Sequence, residues 1–298
     1  MRKNLNWIPL IGVAEVAKTK ITYRSTRIRE GEYEGQSAVA VVKSNCSFET
    51  GEISFDVKLG DPNSACQVVL SHGLQPEIYV GLGAAANPYV IALYQGRKWE
   101  FLAAAGTGNL PTDRSIAVHI RVRGSEIELF VDKIKVCSAV RTIQVSQLAL
   151  FLNGPKDLTV SQFRVQAHQA KAFVVMQFSD QFDALYSDVI EPTCEKFGFK
   201  VERADDIYRS GSIIEDIVRS IRESSFVIAD MTPDNPNVFY EVGYAHGIGK
   251  PTILLSDRRR DKLPFDVSGF RTLFYDNTIG GKKAVEESLT KHLENMTV

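Results

Sequence analysis

Residues 51–59 read Gly-Glu-Ile-Ser-Phe-Asp-Val-Lys-Leu, so apolar and polar side chains alternate without interruption. A period of two places Ile53, Phe55, Val57 and Leu59 on one face of a β-strand and the polar residues on the other. Residues 115–123 repeat the pattern, with Ile116, Val118, Ile120 and Val122 facing inward. Further strand candidates, separated by turn residues, are 37–44, 66–72, 77–82, 89–95, 98–103, 126–131, 148–153 and 158–166. Many short alternating strands predict that the first half is an antiparallel β-sandwich.

The second half of the chain has a different period. Residues 171–178 are almost continuously apolar, as in a strand that is buried in a parallel sheet. Amphipathic helical segments at 180–197, 212–224, 236–248 and 282–294 then alternate with short strands at 200–204, 226–231, 252–256 and 272–275. Pro192 is expected to kink or split the first helix. This alternation predicts an α/β domain with a five-stranded parallel sheet at 169–298, after a sandwich domain at 1–168.

Length, charge and cysteine content narrow the class of protein. A chain of 298 residues is long enough for two domains. Its 35 basic and 36 acidic residues give a formal charge of −1, which argues against direct nucleic-acid binding. No apolar run approaches the ~20 residues of a spanning helix, so no membrane partner is expected. The four cysteines form no metal-ligand or disulfide pattern, which predicts reduced thiols in a cytoplasmic protein without a metal site.

Polar residues follow the predicted parallel strands, where ligands bind in open α/β sheets. Gln177 and Phe178 follow the first strand. Arg203, Asp205, Ser210 and Gly211 lie after the second strand, where free backbone amides and an arginine can hold an anion. An ordinary capped helix start is the alternative. The chain contains neither a phosphate-binding P-loop motif nor a dinucleotide-binding glycine motif.

Residues 230–250 form the densest polar stretch. Asn235 is a natural N-cap for a helix that begins at Pro236. Glu241 lies at the edge of the apolar stripe of this helix, beside Tyr244 and four residues after Asn237. Partial burial there would raise the pKa of Glu241 and suit it to work as an acid, a base or a nucleophile. The alternative is a glutamate on the helix surface.

The two tryptophans of the first half, Trp7 and Trp99, allow two interpretations. Either residue can line a platform for a glycan, or it can pack in the sandwich core, and the pattern favours the core.

Three segments of the second half resemble one known group of proteins. They are Phe-Val-Val-Met-Gln-Phe at 173–178, Arg-Ala-Asp-Asp-Ile at 203–207, and the long stretch from Ile228 to Pro251 that contains Tyr-Glu-Val-Gly-Tyr-Ala. This part resembles the nucleoside 2-deoxyribosyltransferase-like group, which is related to TIR domains. The first half more loosely resembles a concanavalin A-like or laminin G-like jelly roll, through Trp99 after a turn, a hairpin at 124–132 and a closing strand at 160–165.

The resemblance implies a site for a nucleotide. Glu241 corresponds to the catalytic glutamate of the group, while Asp230 and Asn237 would orient the ribose. The nucleotide-binding residues would be Gln177, Phe178, Arg203, Asp205, Ser210, Gly211, Asn235 and Tyr244. The preferred hypothesis is an NAD glycohydrolase that uses NAD as substrate, needs no further cofactor and acts as an antiphage defence effector.

Two other functions stay open at this stage. One is a non-catalytic nucleotide-binding signalling module. The other is a nucleoside 2-deoxyribosyltransferase, although Asn235 and Asn237 stand near the place where those enzymes carry an aspartate. In each case the sandwich would serve as a sensor or assembly domain, and a homo-oligomer is expected because TIR-like sites are often completed across subunit contacts.

Overall fold

The computed structural model describes residues 5–84, 87–204, 213–260 and 262–297. Its internal contacts divide the chain into two compact units. The first unit comprises Met1–Val122 and Glu126–His168, and the second comprises Arg123–Ser125 and Gln169–Val298. None of the helices described has the length and apolar character that a membrane span requires.

The first unit is an antiparallel β-sandwich of two seven-stranded sheets. The strands of the first sheet are, in spatial order, β1 (Trp7–Ile11), β4 (Ala40–Phe48), β13 (Ser146–Asn153), β6 (Ala65–Leu70), β7 (Glu77–Ala84), β8 (Asn87–Gln95) and β9 (Lys98–Ala105). Those of the second sheet are β12 (Ile134–Val140), β11 (Glu126–Val131), β10 (Ile116–Arg123), β5 (Gly51–Lys58), β14 (Leu158–Ala167), β3 (Lys20–Tyr23) and β2 (Ala14–Ala17). The predicted sandwich is therefore confirmed.

Alternating side chains build the core between the two sheets. Ile53, Phe55 and Val57 of β5 are buried, and Phe55 lies opposite Val118 of β10. Burying one face of each strand removes apolar surface from water, which is the main favourable contribution to folding. The sequence pattern missed the edge strands β1, β2 and β12 and also β3, which pairs with β14 and β2. β2 and β3 are only four residues long, and β1 and β12 lack clear alternation.

The second unit contains a five-stranded parallel sheet with helices on both faces. Its spatial order is β16 (Lys200–Arg203), β15 (Lys171–Val175), β17 (Phe226–Asp230), β18 (Thr252–Asp257) and β19 (Thr272–Tyr275). The helices are α1 (Asp180–Leu185), α2 (Glu191–Lys196), α3 (Ile213–Glu223), α4 (Pro236–Gly247), α5 (Phe265–Ser268) and α6 (Ile279–Thr297). Alternate residues of the central strands face two separate apolar clusters, so both faces of the sheet are buried. This confirms the predicted parallel sheet.

The first helical segment of this unit is interrupted in the turn before Pro192. A π-helical turn at Tyr186–Ile190 lies between α1 and α2. Pro192 falls in the first turn of α2, where it lacks the N–H that would bond to a carbonyl of the preceding turn. The split expected at Pro192 is therefore confirmed, as a π-helical turn that ends two residues before it.

Candidate functional site

A pocket of about 600 Å³ lies on the face of the first sheet that points away from the sandwich core. Its described lining combines three aromatic residues with small residues and side-chain amides. The described lining residues are Pro62, Asn63, Ser64, Ala65, Gln67, Gly83, Ala84, Asn87, Pro88, Trp99, Phe101, Gly108, Asn109, Leu110, Phe151 and Asn153. A mainly apolar concavity with a few polar groups is the usual form of a small-ligand site.

Trp99 and Phe101 reach this pocket from β9, which forms one edge of the sheet. The two residues are two positions apart and therefore project from the same face of the strand. Their exposed fractions are 49% and 47%, so each residue presents about half of its surface to solvent. Trp99 is thus a surface residue, so the preferred prediction of core packing is wrong for it. Trp7 does pack inward, edge-on against Phe163 at 4.9 Å between ring centroids.

Aromatic neighbours hold the indole ring of Trp99 in place. Its centroid lies 4.6 Å from that of Tyr79, 4.9 Å from that of Tyr94 and 6.4 Å from that of Phe151. Tyr94 pairs directly with Trp99 across β8 and β9, while Tyr79 comes from β7. Tilted and edge-to-face contacts at these separations are favourable. The ring that faces the pocket is therefore supported from behind.

A hydrogen-bonded group fixes Tyr79 in turn. The Tyr79 hydroxyl donates to Glu77 Oε2 at 2.8 Å, and the Gly73 N–H donates to Glu77 Oε1 at 2.7 Å. His72 Nδ1 lies 2.9 Å from Glu77 Oε1. Burial acts to raise the pKa of Glu77, but these hydrogen bonds outweigh it and leave the pKa below its ordinary value. Glu77 is thus an ionised acceptor that anchors Tyr79.

Four asparagines supply most of the polar lining of the pocket. Two of them have side chains that are hydrogen-bonded within the protein, and two do not. The Asn153 amide donates to the Ser37 carbonyl at 2.9 Å, and the Asn63 amide lies 3.3 Å from Asp61 Oδ1. The side chains of Asn87 and Asn109 make no hydrogen bond to any residue that the structure describes. An amide offers both donors and an acceptor, so these two groups are available to a ligand.

The second unit brings predicted site residues to the carboxyl ends of its strands. Asp230 ends β17 and is almost fully buried. Its Oδ2 accepts a hydrogen bond of 2.6 Å from the Tyr275 hydroxyl, and its Oδ1 accepts one of 2.9 Å from the Thr232 N–H. Burial outweighs these bonds and raises the pKa of Asp230 to about 6. Asp230 therefore ties β17 to β19 and the loop after β17.

Glu241 is buried on α4, with 7% of its surface exposed. No hydrogen bond or ion pair joins its carboxyl group to any part of the chain that the structure describes. Burial alone raises its pKa to about 7. The structure thus places this carboxyl group within the apolar side of the helix instead of leaving it on the surface.

The other predicted site residues have varied surroundings. Asn235 is the N-cap of α4, and its Oδ1 accepts from the Asn237 N–H at 3.0 Å. Asn237 itself is exposed, and no hydrogen bond joins it to Glu241 among the residues described. The Tyr244 hydroxyl accepts from Arg222 Nε at 2.5 Å.

Arg203 is paired within the protein. Its guanidinium donates to Asp183 Oδ1 at 2.6 Å and lies 4.5 Å from the ring centroid of Tyr186 and 5.3 Å from that of Phe178. Gln177 is partly buried in the loop between β15 and α1. Asp205, Ser210 and Gly211 lie outside the described residues.

No protein-family model matches this chain, and no curated protein matches it. Three solved structures illustrate its similarity to known folds. A carbohydrate-binding module, CBM66, from Bacillus subtilis has 12% identity and a TM-score of 0.43, with 53% of this chain and 92% of that chain covered. A β-glucanase from Bacillus licheniformis has 9% identity and a TM-score of 0.38, with coverages of 57% and 94%.

The third structure is a laminarinase from Flavobacterium sp. UMI-01, with 14% identity, a TM-score of 0.37 and coverages of 54% and 92%. All three similarities are low and concern the fold alone.

These comparisons correct the functional predictions made from the sequence. The similar structures are a carbohydrate-binding module and two glycanases, so the predicted NAD glycohydrolase and its nucleotide ligand are wrong. The two alternatives, a nucleotide-binding module and a deoxyribosyltransferase, are corrected on the same finding, as is the TIR-like defence role. The predicted homo-oligomer stays a prediction.

For Trp99, the sequence left a glycan platform as the less favoured alternative to core packing. The only signal of the pocket in the sequence was a tryptophan two residues from a phenylalanine in a strand. The strand pattern alone could not tell which face of that strand would be covered.

Proposed function

We propose that the sandwich binds a carbohydrate in the pocket beside Trp99. The observation that carries this proposal is the half-exposed indole of Trp99, which is supported by Tyr79 and Tyr94 and lies among side-chain amides. A sugar ring presents C–H groups on its faces and hydroxyl groups at its rim. Aromatic rings pack against the faces, and amides exchange hydrogen bonds with the rim.

The proposed activity is binding and not cleavage. Most glycosidases need a pair of carboxyl groups on the two sides of the scissile bond. Among the described residues that line the pocket, there is no aspartate or glutamate. The nearby Glu77 lies behind Tyr79 and is occupied by three hydrogen bonds. The described lining therefore has groups for recognition and none of the carboxyl groups that hydrolysis needs.

Calorimetry on the full chain tests this proposal. Laminaritetraose, cellotetraose and maltotetraose serve as probes, and at least one is expected to bind. Trp99→Ala should then weaken binding by about 2 kcal/mol or more, roughly 30-fold in Kd, as for a central aromatic contact.

Tyr33→Ala is the matched control, because Tyr33 is an exposed aromatic residue of the same unit that does not line the pocket. It should leave the Kd unchanged. If Trp99→Ala binds as tightly as the wild type, the pocket is not the site.

For the second unit we infer a flavodoxin-like arrangement with a proton-exchanging carboxyl group at Glu241. The arrangement is supported by the spatial strand order, in which the second strand of the sheet precedes the first. The role of Glu241 is supported by its burial and its pKa of about 7, since a group that titrates near neutral pH can serve as acid or base. Carbon-13 NMR of labelled glutamate tests this: a titration midpoint near the ordinary value of 4.5 would contradict it.

A cytoplasmic location also belongs among our proposals. All four cysteines of the chain are free thiols, which fits a reducing compartment.

A further inference from the structure

The pocket beside Trp99 carries no charge on its described lining. None of those residues is a lysine, arginine, histidine, aspartate or glutamate. Lys98 and Glu100 alternate with Trp99 and Phe101 along β9 and therefore project from the other face of the strand. Asp61, next to the rim, already accepts hydrogen bonds from Asn63. A ligand in the pocket would thus meet side-chain amides and aromatic rings on the described lining.

This absence of charge discriminates between classes of glycan. An ionised group that enters a partly apolar pocket loses hydration, and without a cation nearby nothing replaces it. A hydroxyl group instead exchanges its bonds to water for bonds to amides at little net cost. The pocket therefore suits uncharged sugars and disfavours uronic acids.

The two asparagines without a hydrogen bond in the described structure, Asn87 and Asn109, can hydrogen-bond to the hydroxyl groups of a sugar. Asn87 begins β8, and Asn109 lies in the loop that follows β9, so two separate segments of chain bring an amide to the same pocket. Neither side chain is bonded within the described structure, whereas those of Asn63 and Asn153 are. Each free amide can donate to one hydroxyl and accept from another.

We propose that this pocket selects uncharged glycans through its uncharged lining and that Asn87 and Asn109 hydrogen-bond their hydroxyl groups. The inference rests on the proposed carbohydrate binding and names the class of ligand. It predicts that the charge of the ligand matters more than its linkage.

Competition between neutral and acidic sugars tests the inference on the full chain. The neutral probes are laminaritetraose, cellotetraose and maltotetraose, and the acidic probe is tetragalacturonate. The best neutral probe should bind at least roughly tenfold more tightly than the acidic one. Asn87→Ala and Asn109→Ala should each weaken neutral binding by roughly three- to tenfold, as for the loss of a hydrogen bond.

A gain-of-function variant separates specificity from general damage. Asn109→Lys places a cation at the rim and should raise the affinity for tetragalacturonate while it lowers that for the neutral probe. Asn295→Ala is the control, because this asparagine lies on α6 in the other unit and its amide is bonded to the Lys291 carbonyl. It should change neither affinity.

The outcomes distinguish selection of uncharged glycans from carbohydrate binding itself. Neutral binding with rejection of tetragalacturonate supports both. Equal or tighter binding of tetragalacturonate by the wild type overturns the inference and leaves carbohydrate binding intact. Neutral binding that is unaffected by both asparagine variants overturns the assigned role of Asn87 and Asn109. No binding of any probe overturns the proposed function and the inference with it.

Discussion

Glu241→Gln tests how much the buried carboxyl group costs the fold. The pKa of Glu241 is raised by burial from 4.5 to about 7. Between these two pH values the folded chain keeps a proton that the unfolded chain releases, so the stability of the wild type falls as the pH rises through this window. Each pKa unit corresponds to ~1.4 kcal/mol, which gives a penalty of about 3 kcal/mol above pH 7. Glutamine carries no charge at any pH, so the variant does not have this penalty in its free energy of unfolding.

Thermal unfolding measured at about pH 5 and about pH 8 checks this expectation. The variant should match the wild type closely at the lower pH and exceed it at the higher pH, by roughly 5–10 °C in Tm for a unit of this size. Glu287→Gln is the control, because Glu287 is an exposed residue of α6. A variant that is less stable than the wild type at the higher pH, or equally shifted at both, would refute the reasoning.

Two tyrosine variants test the hydrogen-bonded groups behind the proposed sites. Tyr79→Phe keeps the ring but removes the hydrogen bond to Glu77. It should weaken tetrasaccharide binding by roughly three- to tenfold and shift the fluorescence emission of Trp99 in the free protein. Unchanged emission together with an unchanged Kd would contradict this. Tyr275→Phe removes the donor to Asp230 and should cost roughly 1–3 kcal/mol. The hydrogen bond from Tyr275 favours the ionised form of Asp230, whose pKa is about 6. The loss in the free energy of unfolding should therefore be larger at about pH 8 than at about pH 5. Equal losses at the two pH values, measured by calorimetric unfolding, would contradict this.

The burial of Glu241 was accessible from the sequence because it depends on local spacing. Val238, Val242 and Ala245 stand three before, one after and four after it, which places all four on adjoining parts of one helix face. Once that face packs on the sheet, the carboxyl group is buried with it. The chemistry that such a group performs depends on what binds beside it. The ligand inferred from the resemblance was therefore not determined by this geometry.

The sequence by itself determined the two kinds of sheet. A period of two specifies strands with one covered face, and apolar strands alternating with helices specify a parallel sheet covered on both sides, because these patterns are properties of neighbouring side chains. Only the tertiary structure decided which of Trp7 and Trp99 packs inward and which is exposed. Both lie on edge strands of the same sheet, yet Trp7 faces the second sheet and packs on Phe163, whereas Trp99 faces solvent. Which face of a strand is covered depends on distant segments that fold over it, and no local pattern records that.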